Sequence, residues 1–225
     1  MTRKVAAIFA HPDDEILGCG GALAWHASKA DEIRILILAT GLRSRGSIDN
    51  AAIVRLRDEA HKSADVIGAK AIEFADFPDN KMDSVPLLEV VKRVEMFLAG
   101  FGADIIYTHH DGDLNVDHLV VHRAVMTARR PLPNAGPIEI IACEVNSSTE
   151  WGLPTQSPFI PTDFLDITSY VEHKVRALEQ YRGEIRPWPH PRSSEGVRAL
   201  ARWRGFQCGV EAAEAYRQVR RLRNQ

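Results

Sequence analysis

The sequence predicts an α/β fold: a Rossmann-like, doubly wound, mostly parallel sheet of about five strands with helices on both faces. Three observations carry that prediction. The apolar runs "KVAAIFA" (4–10), "IRILILAT" (33–40) and "ADIIYTH" (103–109) are continuous rather than alternating, as strands buried on both faces must be. Stretches with helical spacing separate these runs, so strand and helix alternate along the chain and right-handed crossovers are expected. The length of 225 residues suits one domain with a full two-sided core.

The elements follow in order. "KVAAIFA" is the first strand, "EILGCGGALAWHASKADE" a helix and "IRILILAT" the second strand. "GLRSRGSID" is a loop, and "NAAIVRLRDEAHKSADVIGA" is a long helix stopped at Gly68. "KAIEFADF" is the third strand, "SVPLLEVVKRVEMFLAGFG" an amphipathic helix and "ADIIYTH" the fourth strand. "DHLVVHRAVMTARRP" is a helix ended by Pro131, and "IEIIACEV" is the fifth strand. From 147 to 163 the period is lost in "SSTEWGLPTQSPFIPTD", whose apolar and aromatic residues Trp151, Phe159 and Ile160 suit a functional loop better than a tether. "SYVEHKVRALEQYR" and "SSEGVRALARWRGFQCG" are helical, and the basic end "RQVRRLRN" reads as the charged last turn of a closing helix. The chain is therefore expected to be one domain, 1–225, with a core over 1–146 and a loop and helical tail over 147–225.

Composition narrows the function classes. Hydrophobic residues make up 45% and charged residues 26%, and no apolar run approaches the roughly 20 residues of a membrane span. The start lacks a secretion signal, and three widely spaced cysteines suggest neither a disulfide framework nor a thiolate metal site, so a cytoplasmic location is expected. A net charge of -2 without a long basic run gives no footprint for nucleic acid, which leaves a small molecule as the expected partner. A homo-oligomer is expected, because the apolar loop residues could form a subunit contact.

Chemistry concentrates at two strand ends. In open α/β sheets ligands bind beyond the carboxyl ends of the strands. The first strand delivers His11, Asp13, Asp14 and Glu15 there, and the fourth delivers His109, His110, Asp111, Asp113, Asp117 and His118. Imidazole and carboxylate donors without thiolate suit zinc first, with other divalent metals as alternatives. His11 and Asp14 with one histidine of the second group would complete three protein ligands and leave a position for water. Asp13 would then be the general base, which predicts hydrolysis of an amide or ester. The glycines of "GCGGAL" are out of register for a dinucleotide loop, and the carboxylates before them would repel a pyrophosphate. Cys19 reads as a small packed residue. Arg43 and Arg45 in "GLRSRGS" read as a solvated loop.

These residues are familiar. "AHPDDEILGCGGALA" resembles the opening signature of the PIG-L/LmbE family of zinc-dependent N-deacetylases, and the resemblance continues through "LRDEAHKSADVIGA", "FPDNKMD" and "THHDGDLNVDHLVVH", roughly residues 4 to 145. It implies that His11, Asp14 and His118 bind zinc, that Asp13 is the general base and that Asp117 orients a ligand histidine. It also implies that Arg57, with Arg55 close by in register, and Asp79 hold substrate hydroxyls. One departure stands out: many members carry "HPDH" where this chain has "NVDH", so Asn115 replaces a histidine. Asparagine can donate to an oxyanion but cannot deliver a proton. Either His110 or His190 supplies the acid, or Asp13 performs both steps. Trp188, His190 and Arg192 in "RPWPHPR" form a candidate platform and anion clamp for a sugar or its phosphate carrier.

The expected function is a metal-dependent hydrolase that removes an acyl group, acetyl first, from the amide nitrogen of an N-acylated amino sugar or sugar conjugate, such as a sugar nucleotide of surface-glycan biosynthesis. Two readings stand beside it. One is hydrolysis of a different amide or ester conjugate in the same site, which rates no better on N-acetylated sugars than on simple acetamides would favour. The other is a sugar-binding or metal-binding protein that has lost catalysis, motivated by Asn115 and supported by tight binding without turnover.

Overall fold

Each of the five apolar runs forms a strand, and the sheet then continues into the part of the chain expected to be a helical tail. The computed structural model describes residues 2–41, 50–132, 138–153 and 157–222, so all but Gly41 of the expected loop over 41–49 lies outside the described residues. The elements are β1 (Lys4–Phe9), α1 (Asp14–Ser28), β2 (Glu32–Ala39), α2 (Asn50–Ile67), β3 (Ala71–Phe77), α3 (Leu87–Ala99), β4 (Ile105–His109), α4 (Val116–Ala128), β5 (Glu139–Cys143), β6 (Asp163–Asp166), α5 (Val171–Leu178), α6 (Ser194–Cys208) and β7 (Ala213–Arg221). They form one sheet of order β3-β2-β1-β4-β5-β7-β6. The first five strands are parallel, while β7 runs antiparallel between β5 and β6.

The continuous apolar strands do what their pattern requires. Val5, Ala7 and Phe9 of β1 face a core shared with α1, α2 and α5, and Ala6 and Ile8 face a second core shared with α3 and α4. Both sides of the sheet are therefore sealed, and the strand order reverses between β1 and β4. That switch point is where an open sheet leaves a crevice.

The closing helix expected over the C-terminal segment is instead strand β7. Its residues favour helix individually, yet Tyr216 is buried and pairs across β5 with Cys143 and across β6 with Asp163. Burial between two neighbouring strands outweighs intrinsic propensity. Glu214 on this strand has a further task. Helix α1 is broken at Cys19, whose φ of -147° is non-helical. Lys174 of α5 donates to the Leu17 carbonyl at 2.8 Å, and Glu214 accepts the Gly21 and Ala22 amides at 2.8 and 2.7 Å. The two side chains, 2.7 Å apart, cap both sides of the break with opposite charges. A Cβ on Gly21 would meet Ile167 at 2.8 Å and Glu214 at 3.0 Å, which explains the glycine there. No helix of the described residues is long and apolar enough to cross a membrane.

Candidate metal centre and active site

The loop after β1 and the start of α4 meet beside the switch point. Asp13 caps α1 with a left-handed backbone (φ 104°), a conformation in which a non-glycine residue stores strain and which clusters at functional sites. Its carbonyl accepts the Ile16 and Leu17 amides at 3.0 and 2.9 Å, so the turn places Asp13 and Asp14 side by side at the mouth of the helix. Both are buried.

His11, Asp14 and His118 bring one ligand atom each to within 4.8 Å of one another. Asp14 Oδ2 lies 3.2 Å from His11 Nδ1 and 3.1 Å from His118 Nε2. Two donors each about 2.1 Å from a tetrahedral centre stand about 3.4 Å apart, so the spacing fits a cation held by all three. His118 Nε2 is buried and makes no hydrogen bond, although Asp14 Oδ2 lies 3.1 Å away. A buried ring nitrogen without a hydrogen-bond partner, beside two further donors, fits the role of a metal ligand.

The other nitrogen of each ring is occupied. His11 Nε2 contacts Asp117 Oδ2 at 3.0 Å and Asp79 Oδ1 at 3.3 Å. Asp117 is itself fixed by the amides of Asn80 at 2.6 Å and Met82 at 2.9 Å. His118 Nδ1 lies 3.0 Å from Asp113 Oδ1, and Asp113 accepts hydroxyls from Ser148 and Thr149. Each ring thus has a carboxylate at its outer nitrogen to take that hydrogen, so that the inner nitrogen, once deprotonated, would turn its lone pair inward. His109 stacks on His118 with centroids 3.7 Å apart, and its Nε2 accepts the Ala10 amide at 2.8 Å.

Charge follows the geometry in the metal-free protein. Burial opposes the charged form of His118, but Asp14 and Asp113 outweigh it and hold its pKa at about 9. Burial likewise opposes His11 charging, yet hydrogen bonds to Asp117 and Asp14 raise it well above the ordinary range. Asp14 is driven the other way, below the usual carboxylate range, because His118 and His11 outweigh its burial. Burial raises Asp13 well above that range, Asp14 adds to the rise and Arg192 opposes it.

A cavity of about 290 Å³ opens over this group. Of the residues singled out in the sequence, His11, Asp13, Asp14, Asp79, Asn115, His118, His190 and Arg192 line it. Asn115 is the N-cap of α4: its oxygen accepts the Asp117 amide at 2.9 Å and its Nδ2 donates to Asn80 at 2.9 Å. His190 accepts the Arg192 amide on Nδ1 at 3.1 Å, which leaves the hydrogen on Nε2, and burial with Arg192 and Arg186 lowers its pKa. Arg192 Nη1 rests on Asp13 and Glu184, each at 3.3 Å.

Four expected residues lie outside the cavity lining: Asp117, which sits behind His11, and three that point elsewhere. His110 points away, its Nε2 donating to the Ser157 carbonyl at 2.7 Å and its ring edge on Phe159. Arg57 pairs with Asp76 and covers the Phe74 ring. Trp188 is 60% exposed and lines a neighbouring cavity of about 250 Å³. Conversely, Asp113, Glu184 and Trp151 take part in the site without having been assigned a role. Asp113 stood in the flagged "HHDGDLNVDH" stretch and Trp151 in the aperiodic loop, whereas Glu184 had no local signal.

Known proteins resemble this chain. The family described as PIG-L, GlcNAc-PI de-N-acetylase, matches residues 6–129. The chain is 28% identical over 186 residues to the uncharacterized deacetylase YaiS of Escherichia coli (strain K12), covering 80% of this chain and 91% of that one. It is 26% identical over 205 residues to 4-oxalmesaconate hydratase of Pseudomonas putida, covering 84% and 76%. Among solved structures, N,N'-diacetylchitobiose deacetylase from Pyrococcus horikoshii superposes with a TM-score of 0.75 at 21% identity, covering 96% of this chain and 83% of that one.

Proposed function

The chain belongs to the PIG-L family of GlcNAc-PI de-N-acetylases, and from that premise we propose that it is a zinc-dependent hydrolase that removes the acetyl group of an N-acetylated amino sugar. One observation carries the reading: three ligand atoms from two strand ends converge beside the buried carboxylate of Asp13. A divalent cation held by His11, Asp14 and His118 would polarise the amide carbonyl and make water acidic enough to attack it. Zinc suits two imidazoles and one carboxylate.

The protein's own groups account for the rest. Asp13 accepts a proton as the water oxygen bonds to the carbonyl carbon, and returns it to the nitrogen as the C–N bond breaks, giving acetate and a free amine. His190 offers Nε2–H to the developing oxyanion or to the departing nitrogen. His110 cannot serve without leaving Ser157 and Phe159. Asp79 and Asn115 line the cavity where sugar hydroxyls would be read, and Trp151 supplies an apolar face.

The test is release of primary amine from N-acetylglucosamine, its oligosaccharides and its nucleotide conjugate by the zinc-loaded protein. Asp13→Asn is expected to keep its zinc and lose about 10²- to 10⁴-fold in rate; full activity in that variant would refute the mechanism. A second reading is kept because the similarity to a hydratase spans most of the chain. The same cation and base would add water to an activated double bond, and a water adduct without any amine release would select it.

A further inference from the structure

We propose that Arg192, braced by Glu184, is the positioning residue that fixes the Asp13 carboxylate beside the three-ligand group. The inference rests on the deacetylase reading only for its kinetic arm. Arg192 Nη1 lies 3.3 Å from Asp13 Oδ2 and 3.3 Å from Glu184 Oε2, and the two carboxylate side chains are only 4% and 5% exposed. Among the described residues it is the hydrogen-bond partner of the Asp13 carboxylate, reached across 179 positions of sequence. The backbone of Asp13 is set separately, by its left-handed turn and by its amide on Glu15 at 3.1 Å. The turn therefore fixes where the side chain starts, and Arg192 fixes where its carboxylate ends.

The segment carrying Arg192 is itself held. The Arg192 amide donates to His190 at 3.1 Å, its carbonyl accepts the Arg186 amide at 3.3 Å, and Asn146 donates to the Pro191 carbonyl at 3.3 Å. One guanidinium shared by two buried carboxylates is poorly suited to an incoming anion, which would meet both negative groups. The geometry favours a brace over a substrate clamp, and the two roles have opposite kinetic signatures. A misplacement of about 1 Å at a reacting group can cost about 100-fold in rate.

The experiment compares Arg192→Met, Arg192→Lys, Asp13→Asn and the Asp13→Asn/Arg192→Met double variant, all zinc-loaded. For Arg192→Met, kcat is expected to fall about 100-fold with KM within about threefold of wild type. Arg192→Lys keeps the charge and should recover at least a tenth of wild-type kcat, and it carries the kinetic test if the methionine variant does not fold. A KM increase with kcat preserved would make Arg192 a substrate clamp and overturn the proposal, as would unchanged kinetics. Thermal unfolding decides the pairing without activity: Arg192→Met should lower Tm, and adding Asp13→Asn should restore about half of the loss, because one of the two buried carboxylates that Arg192 pairs is then neutral. No recovery would overturn the pairing. If wild type releases no amine from any N-acetylated sugar, the proposed function fails while the unfolding comparison still decides this one.

Discussion

His11 and His118 divide their two ring nitrogens in the same way, one to a carboxylate and one to the centre of the site. For His11 the carboxylate is Asp117, and for His118 it is Asp113. Such partners set the tautomer and strengthen the ligand, and losing one typically weakens metal binding by 10- to 100-fold. Asp113→Asn is therefore expected to raise the zinc dissociation constant by about that factor, read by competition with a chromophoric chelator; an unchanged constant would deny Asp113 this role. The pH dependence has a definite sign. Because the carboxylates around His118 and His11 hold protons on both rings above the ordinary imidazole range, a cation must displace those protons near neutral pH, so the zinc affinity measured by the same competition is expected to rise from about pH 6 to about pH 8; an affinity that falls over that range would contradict this. At this scale the convergence of His11, Asp14 and His118 was legible, since "HPDD" and "VDH" stand at two strand ends that the sheet brings together. The role of Asp113 was not, because it depends on Ser148 and Thr149 folding back from a stretch without periodicity.

At the scale of elements, the interrupted helix α1 governs how Asp13 and Asp14 are presented. The first turn can point its carboxylates into the crevice while the rest packs on the sheet only because the break at Cys19 is capped from both sides by Lys174 and Glu214. Removing one member of a buried ion pair costs about 3–5 kcal/mol. At about 2–4 °C per kcal/mol for a chain of this size, Lys174→Met is expected to lower Tm by about 10 °C in differential scanning calorimetry. A change below about 2 °C would show that the cap is dispensable. Strands β1, β2 and β4 were readable as continuous apolar runs, while β3, which carries Glu73 and Asp76, was readable from its place in the strand and helix alternation. Strand β7 was not, because "AEAYRQVRR" is built of residues that favour helix and becomes a strand only through its partners β5 and β6. Glu214, which lies on it, was unreadable for the same reason.

For the whole molecule, the central claim is that the sheet makes one site from two distant stretches of chain. Beta strands β1 and β4 are neighbours at the switch point, so the loops that follow them converge. The antiparallel pair β7 and β6 then extends the sheet past β5, and the segment between α5 and α6 returns to the same cavity with His190 and Arg192. The crossing of these segments is what joins an acidic loop to two histidines, a buried carboxylate and a wall in one cavity. The most direct measurement is the zinc content of the purified, zinc-loaded and dialysed protein by elemental analysis, beside the His118→Ala variant prepared in parallel. The account predicts about one zinc per chain in wild type and less than about a tenth of that in the variant. No zinc in wild type, or equal zinc in both, would contradict it.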